Sequence, residues 1–269
     1  MDTATLRKFT KAETYQILKG GQNESIKVGD LVIKPVHEKE KYLWLSAVLE
    51  EINFENLQVA TPLKSLEGNF IEDSFGATRY FDAQFYNNKL KEKLDACREL
   101  NSKLAGIRKP KEYDKWESPW TKAQGLAWSD HKISSALLPK EIEELIRLRK
   151  TLNLPDQLVH VDLAGNILFD EKGGPIIIDF TPGFYPKEYS EVLLMIDSIA
   201  WYQASIEALQ LLSAEKEIQD QLILRALIFR LSVPFFLHAD SKNKIEAFQK
   251  DYQGYRPIVD LMRKNVKVL

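Results

Sequence analysis

The feature that most constrains this chain is a pair of short apolar runs at residues 167–169 and 176–178, joined by a segment that contains Gly-Gly-Pro. Isoleucine-rich runs with turn residues between them predict a tight β-hairpin. Asp162 and Asn166 lie four residues apart just before the first run, and Asp179 directly follows the second. The hairpin is therefore expected to bring two carboxylates and one amide together.

These three side chains suit phosphoryl transfer from a magnesium nucleotide. A carboxylate orients or accepts the proton of an acceptor hydroxyl, and carboxylate and amide oxygens are ligands for Mg²⁺. Asp and Asn also favour turns for purely local reasons, so His-x-Asp followed by Asn occurs often by chance. Turn formation explains less well why Asp179 ends a run of three isoleucines. We therefore predict kinase-type chemistry at this hairpin.

The same segment resembles the His-Gly-Asp-Leu-x-x-x-Asn-x-Leu-Phe and Ile-Asp-Phe signatures of the aminoglycoside phosphotransferase and choline kinase-like family. Residues 162–169 and 178–201 are most similar to a little-characterised set of bacterial phosphotransferase-like proteins in that family. Val161 replaces the usual glycine, and Asp162 to Asn166 is four residues where most relatives have five. The resemblance implies an α+β, protein-kinase-like bilobal fold with a small antiparallel-sheet N-lobe and a mostly helical C-lobe.

The resemblance also implies a role for each polar residue of the hairpin. Asp162 is expected to be the catalytic base, and Asn166 and Asp179 are expected to bind Mg²⁺. The phosphoryl donor is expected to be ATP or GTP, and the acceptor an unidentified small molecule with a hydroxyl group. Two alternatives stay open. One is a weak or inactive nucleotide-binding regulator, and the other is transfer of the nucleotidyl group on the same fold.

The N-terminal region reads as short strands at residues 15–18, 25–28 and 31–36, with a glycine-bearing loop after the first. In the fold that the chain resembles, such a loop covers the nucleotide phosphates and the third strand carries a lysine to them. Without the downstream motif, a flexible turn and a solvated lysine would explain the same residues. The residues expected to bind the phosphates are Gly20, Gly21, Gln22 and Lys34.

A carboxylate is expected to hold Lys34 in place. Residues 38–52 have a helical apolar pattern, and Glu38 lies on its apolar face. Glu38 matches the helix glutamate of the relatives, with Glu40 as a close alternative. We therefore predict a Lys34–Glu38 pair.

Strands predicted at residues 69–72 and 76–81 complete the N-terminal sheet, and a helix predicted at 88–104 follows. This change marks a boundary between an N-terminal lobe of residues 1–81 and a C-terminal lobe of residues 82–269. By resemblance, the hinge contacts the adenine edge through main-chain groups. The hinge residues expected there are Tyr80, Phe81, Asp82 and Ala83.

The C-terminal lobe is predicted to be helical at residues 140–152, 189–212, 214–233 and 242–265, with a break around 252–257. Asp197 lies in an apolar stretch of the second helix, where a carboxylate needs hydrogen-bond partners. By resemblance, Asp197 is expected to brace the catalytic loop through backbone N–H groups.

Composition fits a two-lobed enzyme of 269 residues, 44% of them hydrophobic. The formal net charge of -2 gives no field that would attract nucleic acid or an anionic membrane. Cys97 is the only cysteine, which excludes an intramolecular disulfide and a cysteine-built zinc site. The N-terminal sequence has no signal-peptide pattern and no apolar run reaches the length of a transmembrane helix. We therefore expect a cytoplasmic protein.

Overall fold

The computed structural model describes residues 2–12, 14–18, 24–54, 57–129, 138–238 and 243–266. Contacts divide the chain into two compact units. The first contains Met1–Tyr86 and Gly165–Pro182, and the second contains Asn87–Ala164 and Gly183–Leu269. The first unit thus includes a late segment of the chain that the boundary predicted at residues 81 and 82 leaves out.

The strands are β1 (Gln16–Ile17), β2 (Ile26–Val28), β3 (Leu31–Pro35), β4 (Gln58–Val59), β5 (Pro62–Leu63), β6 (Phe75–Arg79), β7 (Gln157–His160), β8 (Ile167–Phe169), β9 (Pro175–Ile177) and β10 (Pro182–Tyr185). The α-helices are α1 (Thr3–Phe9), α2 (Lys39–Glu50), α3 (Leu90–Lys103), α4 (Pro119–Trp128), α5 (Lys140–Arg147), α6 (Lys187–Trp201), α7 (Lys216–Leu237) and α8 (Lys244–Asn265). Short 3₁₀ helices lie at Tyr113–Lys115 and Ile206–Leu211.

The first unit is built on a five-stranded antiparallel sheet of order β1-β2-β3-β6-β5. One face of the sheet packs on α1, and this small core is formed by Leu6, Phe9, Val28, Ile33 and Ala77. The three predicted N-terminal strands are confirmed. The strand predicted at residues 69–72 was wrong, since that stretch forms only an isolated bridge from Glu72 to Phe75.

The predicted hairpin is confirmed as β8 and β9, which pair antiparallel with Ile167 opposite Ile177. The Asp170 carboxylate accepts hydrogen bonds in the turn from the amides of Lys172 at 2.9 Å and Gly174 at 2.8 Å. These bonds satisfy the turn backbone locally, as Asp does in many turns. The hairpin is joined to the preceding chain by β4, which pairs parallel with β9.

The second unit is helical, with the small pair β7 and β10 beside the helices. The central helix is α7, which packs against α4, α5, α6 and α8. No helix in the described part of the chain is long and apolar enough to cross a membrane. Cys97 is buried in α3, and burial raises the pKa of its thiol to about 12, so the thiol stays protonated at neutral pH.

Two details of the helical predictions were wrong. The helix predicted at residues 189–212 ends at Trp201, and Gln203 then takes a positive φ of 61°. The break predicted at 252–257 is absent, because α8 continues through Pro257. Tyr255 and Ile258 on either side of this proline are buried in the core. Tertiary packing therefore outweighs the cost of one proline in a helix.

Candidate active site

Lys34 reaches the proposed site from the middle of β3. Strand side chains alternate between faces, so Ile33 points into the buried core while Lys34 and Val32 point to the opposite face. The Lys34 ammonium group donates to Asp179 Oδ1 and forms an ion pair with it. The sheet thus presents one cation directly to the end of the β8–β9 hairpin.

Asp179 follows β9 with an unusual backbone conformation. Its φ of 49° lies in the left-handed region, which few residues other than glycine adopt. Such strained positions cost about 1–3 kcal/mol and persist where the surrounding structure holds them, often at functional sites. Here the strained backbone accompanies the contact between the Asp179 carboxylate and Lys34.

Asn166 lies at the same open end of the hairpin, immediately before β8. Its backbone carbonyl accepts a hydrogen bond from the amide of Ile178 at 2.9 Å, one residue beyond the last paired position of β9. Asn166 and Asp179 therefore occupy neighbouring positions at one end of the two strands. Their side chains offer one amide oxygen and one carboxylate to the same space.

A cavity of about 670 Å³ in the first unit is lined by Lys34, Asn166 and Asp179. Val32 and Thr78 of the sheet and Leu168 and Ile178 of the hairpin add apolar surface. Cavities of about 300–1,000 Å³ with an apolar lining and a few placed polar groups are typical small-molecule sites. The hairpin and the sheet therefore form a pocket with both apolar and charged lining residues.

The predicted hinge residues behave differently from one another. Tyr80, Phe81 and Ala83 line the cavity, whereas Asp82 is exposed and is not among its lining residues. The Tyr80 amide donates to the carbonyl of Asp30 at 2.8 Å, which extends the sheet pairing. That amide is therefore engaged within the sheet.

The predicted phosphate-binding residues Gly20, Gly21 and Gln22 lie outside the described residues. Leu18 and Glu24, which flank this stretch in sequence, both line the cavity.

The structure does not bring Glu38 to Lys34. The Glu38 carboxylate pairs instead with Lys41 at 2.9 Å, across the first turn of α2. Glu40, the alternative, lies in the same turn. Asp179 was expected to bind metal, and its pairing with Lys34 was not anticipated. No local signal could have found it, because the two residues are 145 positions apart.

Asn166 and Asp179 suit Mg²⁺ by the chemistry of their donor atoms. Mg²⁺ prefers oxygen ligands and is usually held by one or two carboxylates together with substrate phosphates, without an all-protein cage. Among the residues that the structure describes, no group of three or more His, Cys, Asp or Glu side chains could hold a metal ion. A site with one carboxylate and one amide fits a metal that arrives with a nucleotide.

Asp162 belongs to the second unit, where it follows β7. Its backbone amide donates to Nδ1 of the buried His160 at 3.0 Å, so this nitrogen of the imidazole acts as an acceptor. The Asp162 side chain is 51% exposed. The buried His160 side chain therefore fixes the backbone at the start of the loop, while the Asp162 carboxylate is exposed to solvent.

Arg230 of α7 contacts the Asp162 loop at two points. Its guanidinium donates to Asp162 Oδ1 at 2.9 Å and to the carbonyl of Val161 at 3.1 Å. The same group forms an ion pair with Asp197 of α6. The only sequence signal for Arg230 was a charged residue inside the apolar run of residues 226–233, and we did not predict its role.

The expected role of Asp197 needs correction. Within the described residues, its carboxylate accepts hydrogen bonds from Arg230 and from the Tyr255 hydroxyl at 2.7 Å, and not from backbone N–H groups. Burial raises the pKa of Asp197, and the adjacent guanidinium opposes this effect. Burial lowers the pKa of Arg230, but the carboxylates of Asp197 and Asp162 more than offset it and raise it well above its usual value. Arg230 is therefore a permanent buried cation.

A second buried cation lies beneath the same loop. Lys93 of α3 is 1% exposed, and its ammonium group donates to the carbonyl of Ala164 at 3.3 Å. Burial lowers the pKa of Lys93 to about 8. The loop of residues 161–164 is thus held by side chains from two different helices.

The two units, a small antiparallel sheet with a helix and a larger helical body, define an α+β kinase-like fold. The predicted fold class is confirmed by solved structures of small-molecule kinases. The chain matches an aminoglycoside phosphotransferase from Alicyclobacillus acidocaldarius with a TM-score of 0.62 and 11% identity, covering 100% of this chain and 97% of that one.

Two further matches have the same fold. Choline kinase LicA from Streptococcus pneumoniae gives a TM-score of 0.59 at 11% identity, covering 91% of this chain and 94% of that one. A spectinomycin phosphotransferase, solved with ADP and spectinomycin, gives 0.56 at 16% identity, covering 93% and 92%. A scan of family models and a search of curated proteins found no match. At these identities the likeness establishes the fold, and the resemblance seen in the sequence is confirmed at that level.

Proposed function

We propose that this protein is an ATP- or GTP-dependent phosphotransferase that phosphorylates a hydroxyl group of a small molecule. In this proposal Lys34 contacts the nucleotide phosphates, and Asn166 and Asp179 bind Mg²⁺. Asp162 orients the acceptor hydroxyl and takes its proton. Each unit supplies one part of the chemistry, since the first carries the nucleotide groups and the second carries the base.

The observation that carries this proposal is the composition of the 670 Å³ cavity. The Lys34 ammonium group, the Asp179 carboxylate and the Asn166 amide line one pocket, together with apolar residues and with Glu24, His37 and Arg79. Bound Mg²⁺ would neutralise developing charge on the transferred phosphoryl group. Lys34 adds a fixed positive charge from the sheet, and the apolar walls suit a planar base. A neighbour solved with ADP supports a nucleotide as the donor.

The acceptor is proposed only as a class. The matched proteins are named as kinases of choline and ethanolamine and as phosphotransferases of aminoglycoside antibiotics and spectinomycin. These acceptors share a hydroxyl group on a small polar molecule. A loose transition state requires little covalent chemistry from the protein, so positioning of the hydroxyl by Asp162 is the main contribution of the second unit.

A second function is favoured by two specific observations. Lys34 pairs with a proposed metal ligand instead of a helix glutamate, and the Asp162 to Asn166 spacing is one residue shorter than in most relatives. Both features suit a protein that binds nucleotide without transferring phosphate. Such a regulator would bind the magnesium nucleotide with normal affinity and show no turnover.

One experiment separates these functions. The protein is incubated with Mg²⁺ and ATP or GTP over a panel of hydroxylated metabolites and antibiotics, with Asp162→Asn as the blank, and nucleotide consumption is followed. Phosphoryl transfer adds about 80 Da to the acceptor, and AMP transfer would add about 329 Da. Nucleotide binding by calorimetry without any modified acceptor would instead support the regulator.

A further inference from the structure

The contacts of Arg230 join four polar groups of the second unit into one chain. The Trp201 indole donates to the Tyr255 hydroxyl at 2.9 Å, and that hydroxyl donates to Asp197 at 2.7 Å. Asp197 pairs with Arg230, which donates to Asp162 at 2.9 Å. The four side chains other than Asp162 come from α6, α7 and α8, so the loop is tied to three helices of the unit.

The burial of the chain makes its geometry rigid. The side chains of Arg230 and Asp197 are 11% and 6% exposed, whereas that of Asp162 is 51% exposed. Separating a buried ion pair leaves uncompensated charges, so moving Arg230 away from Asp197 costs free energy. The planar guanidinium also presents its donors in a fixed fork, which a lysine cannot reproduce. Asp162 is therefore attached to a fixed point, while its outer surface stays accessible.

The titratable groups near Arg230 come from several elements, and the Tyr189 hydroxyl of α6 is one of them. Asp162 comes from the loop, Asp197 from α6, and Asp251 and Tyr255 from α8. Tyr202, at the end of α6, faces the two carboxylates Asp162 and Asp197. Arg230 is the cation that all of these acidic groups share.

We infer that Arg230 is a positioning residue for the proposed base: through its anchor on Asp197, it fixes the orientation of the Asp162 carboxylate. The inference rests on the proposed function, because only a base or an orienting carboxylate needs this control. Arg230 acts through Asp162 and does not contact the reacting atoms. Its loss should therefore affect turnover and leave nucleotide affinity unchanged.

Two variants remove the fork between Arg230 and Asp162. Arg230→Lys keeps the positive charge but cannot present the same fixed donors, so turnover should fall about 10-fold or more because of misplacement, with the KM for nucleotide unchanged. Arg230→Gln combined with Asp197→Asn removes both buried charges together and leaves no unpaired ion. Turnover of this double variant should fall by a similar factor, again with the KM for nucleotide unchanged.

The control is Arg225→Lys, which changes a buried arginine five positions earlier on α7. Arg225 donates to the carbonyl of Lys150 at 2.7 Å and to Gln221, whereas Arg230 donates to Asp162 and Asp197. Its variant should lose stability but keep the turnover of the natural protein. A purely structural role for Arg230 predicts the same behaviour for both lysine variants.

A measurement without turnover keeps the inference separate from the proposed function. Carboxyl ¹³C resonances of labelled aspartates are recorded at one fixed pH, and the Asp162 signal is assigned by its absence in Asp162→Asn. The charge-balanced double variant should move the chemical shift of that signal, because the hydrogen bond from Arg230 to Asp162 is lost, and Arg225→Lys should not. Equal Asp162 chemical shifts in the natural and double-variant proteins would overturn the inference. Absence of transfer by the natural protein, with the Asp162 signal moved as expected, would overturn only the proposed function.

Discussion

Replacing Lys93 with methionine should stabilise the protein at neutral pH. Burial lowers the pKa of Lys93 from 10.5 to about 8, and a shift of about 2.5 units corresponds to about 3 kcal/mol. Below about pH 8 Lys93 is protonated in both the folded and the unfolded state, so the folded state carries the full free-energy cost of burying its charge. The variant loses the hydrogen bond to the Ala164 carbonyl, worth about 1.5 kcal/mol. Methionine fills a similar volume, so the net gain at pH 7 is about 1.5 kcal/mol.

The same reasoning predicts a change of sign at alkaline pH. Between about pH 8 and 10.5 the unfolded chain retains a proton that folded Lys93 has lost, so the natural protein gains stability as pH rises. In urea unfolding from pH 6 to 10, Lys93→Met should be more stable than the natural protein below about pH 9 and less stable above it. Buried tyrosines such as Tyr189 also titrate late, but they affect both proteins equally.

Lys91→Met is the matched control for this experiment. Lys91 lies on the same helix with its side chain 76% exposed and paired with Asp95 at 2.7 Å. Its replacement should change stability by no more than about 0.5 kcal/mol at any pH. A Lys93→Met protein that is less stable than the natural one at pH 7, or a difference that stays constant from pH 7 to 10, would refute the argument.

Three further substitutions test the rest of the site. Asp179→Ala should weaken binding of the magnesium nucleotide, since a carboxylate ligand is lost; calorimetry with equal affinity would count against the metal assignment. Asn166→Ala should raise the magnesium concentration needed for turnover; a loss of only about 1 kcal/mol of stability, with the magnesium titration unmoved, would show that the amide merely caps the turn. Gly183→Ala should cost about 1–3 kcal/mol in urea unfolding, because its Cβ would lie 2.6 Å from Val161 Cγ1, and an unchanged midpoint would contradict this clash.

The parts of the site that could be predicted from sequence are those set by local structure. The β8–β9 hairpin follows from isoleucine-rich runs and an Asp-Glu-Lys-Gly-Gly-Pro turn, and both signals act within a dozen residues. Lys34 could be placed on its strand because side-chain alternation puts it opposite buried Ile33. The two-residue strands β4 and β5 were missed, since so short a segment has no readable period.

The pairings within the site could not be predicted, because they join residues far apart in sequence. Arg230 and Asp162 are 68 positions apart, and Arg230 and Asp197 are 33 apart. Whether a buried charge meets a carboxylate depends on how helices pack, which neither helical period nor propensity specifies. Glu38 is a case where a pairing was predicted and does not form. Its position on the helix suggested that it pairs with Lys34, and it pairs with the nearby Lys41 instead.

The short Asp162 to Asn166 spacing can be tested by lengthening it. The division between the two units falls between Ala164 and Gly165, so each polar residue is anchored within its own unit. Arg230 holds Asp162, and the pairing with Ile178 holds the backbone of Asn166. One glycine inserted after Ala164 restores the five-residue spacing of most relatives and disturbs neither anchor. If the short connection limits transfer, the insertion should raise turnover while nucleotide affinity stays constant, because the residues proposed to bind the nucleotide lie in the first unit. A fall in nucleotide affinity would show that the connection itself orders the Asn166 end of the hairpin.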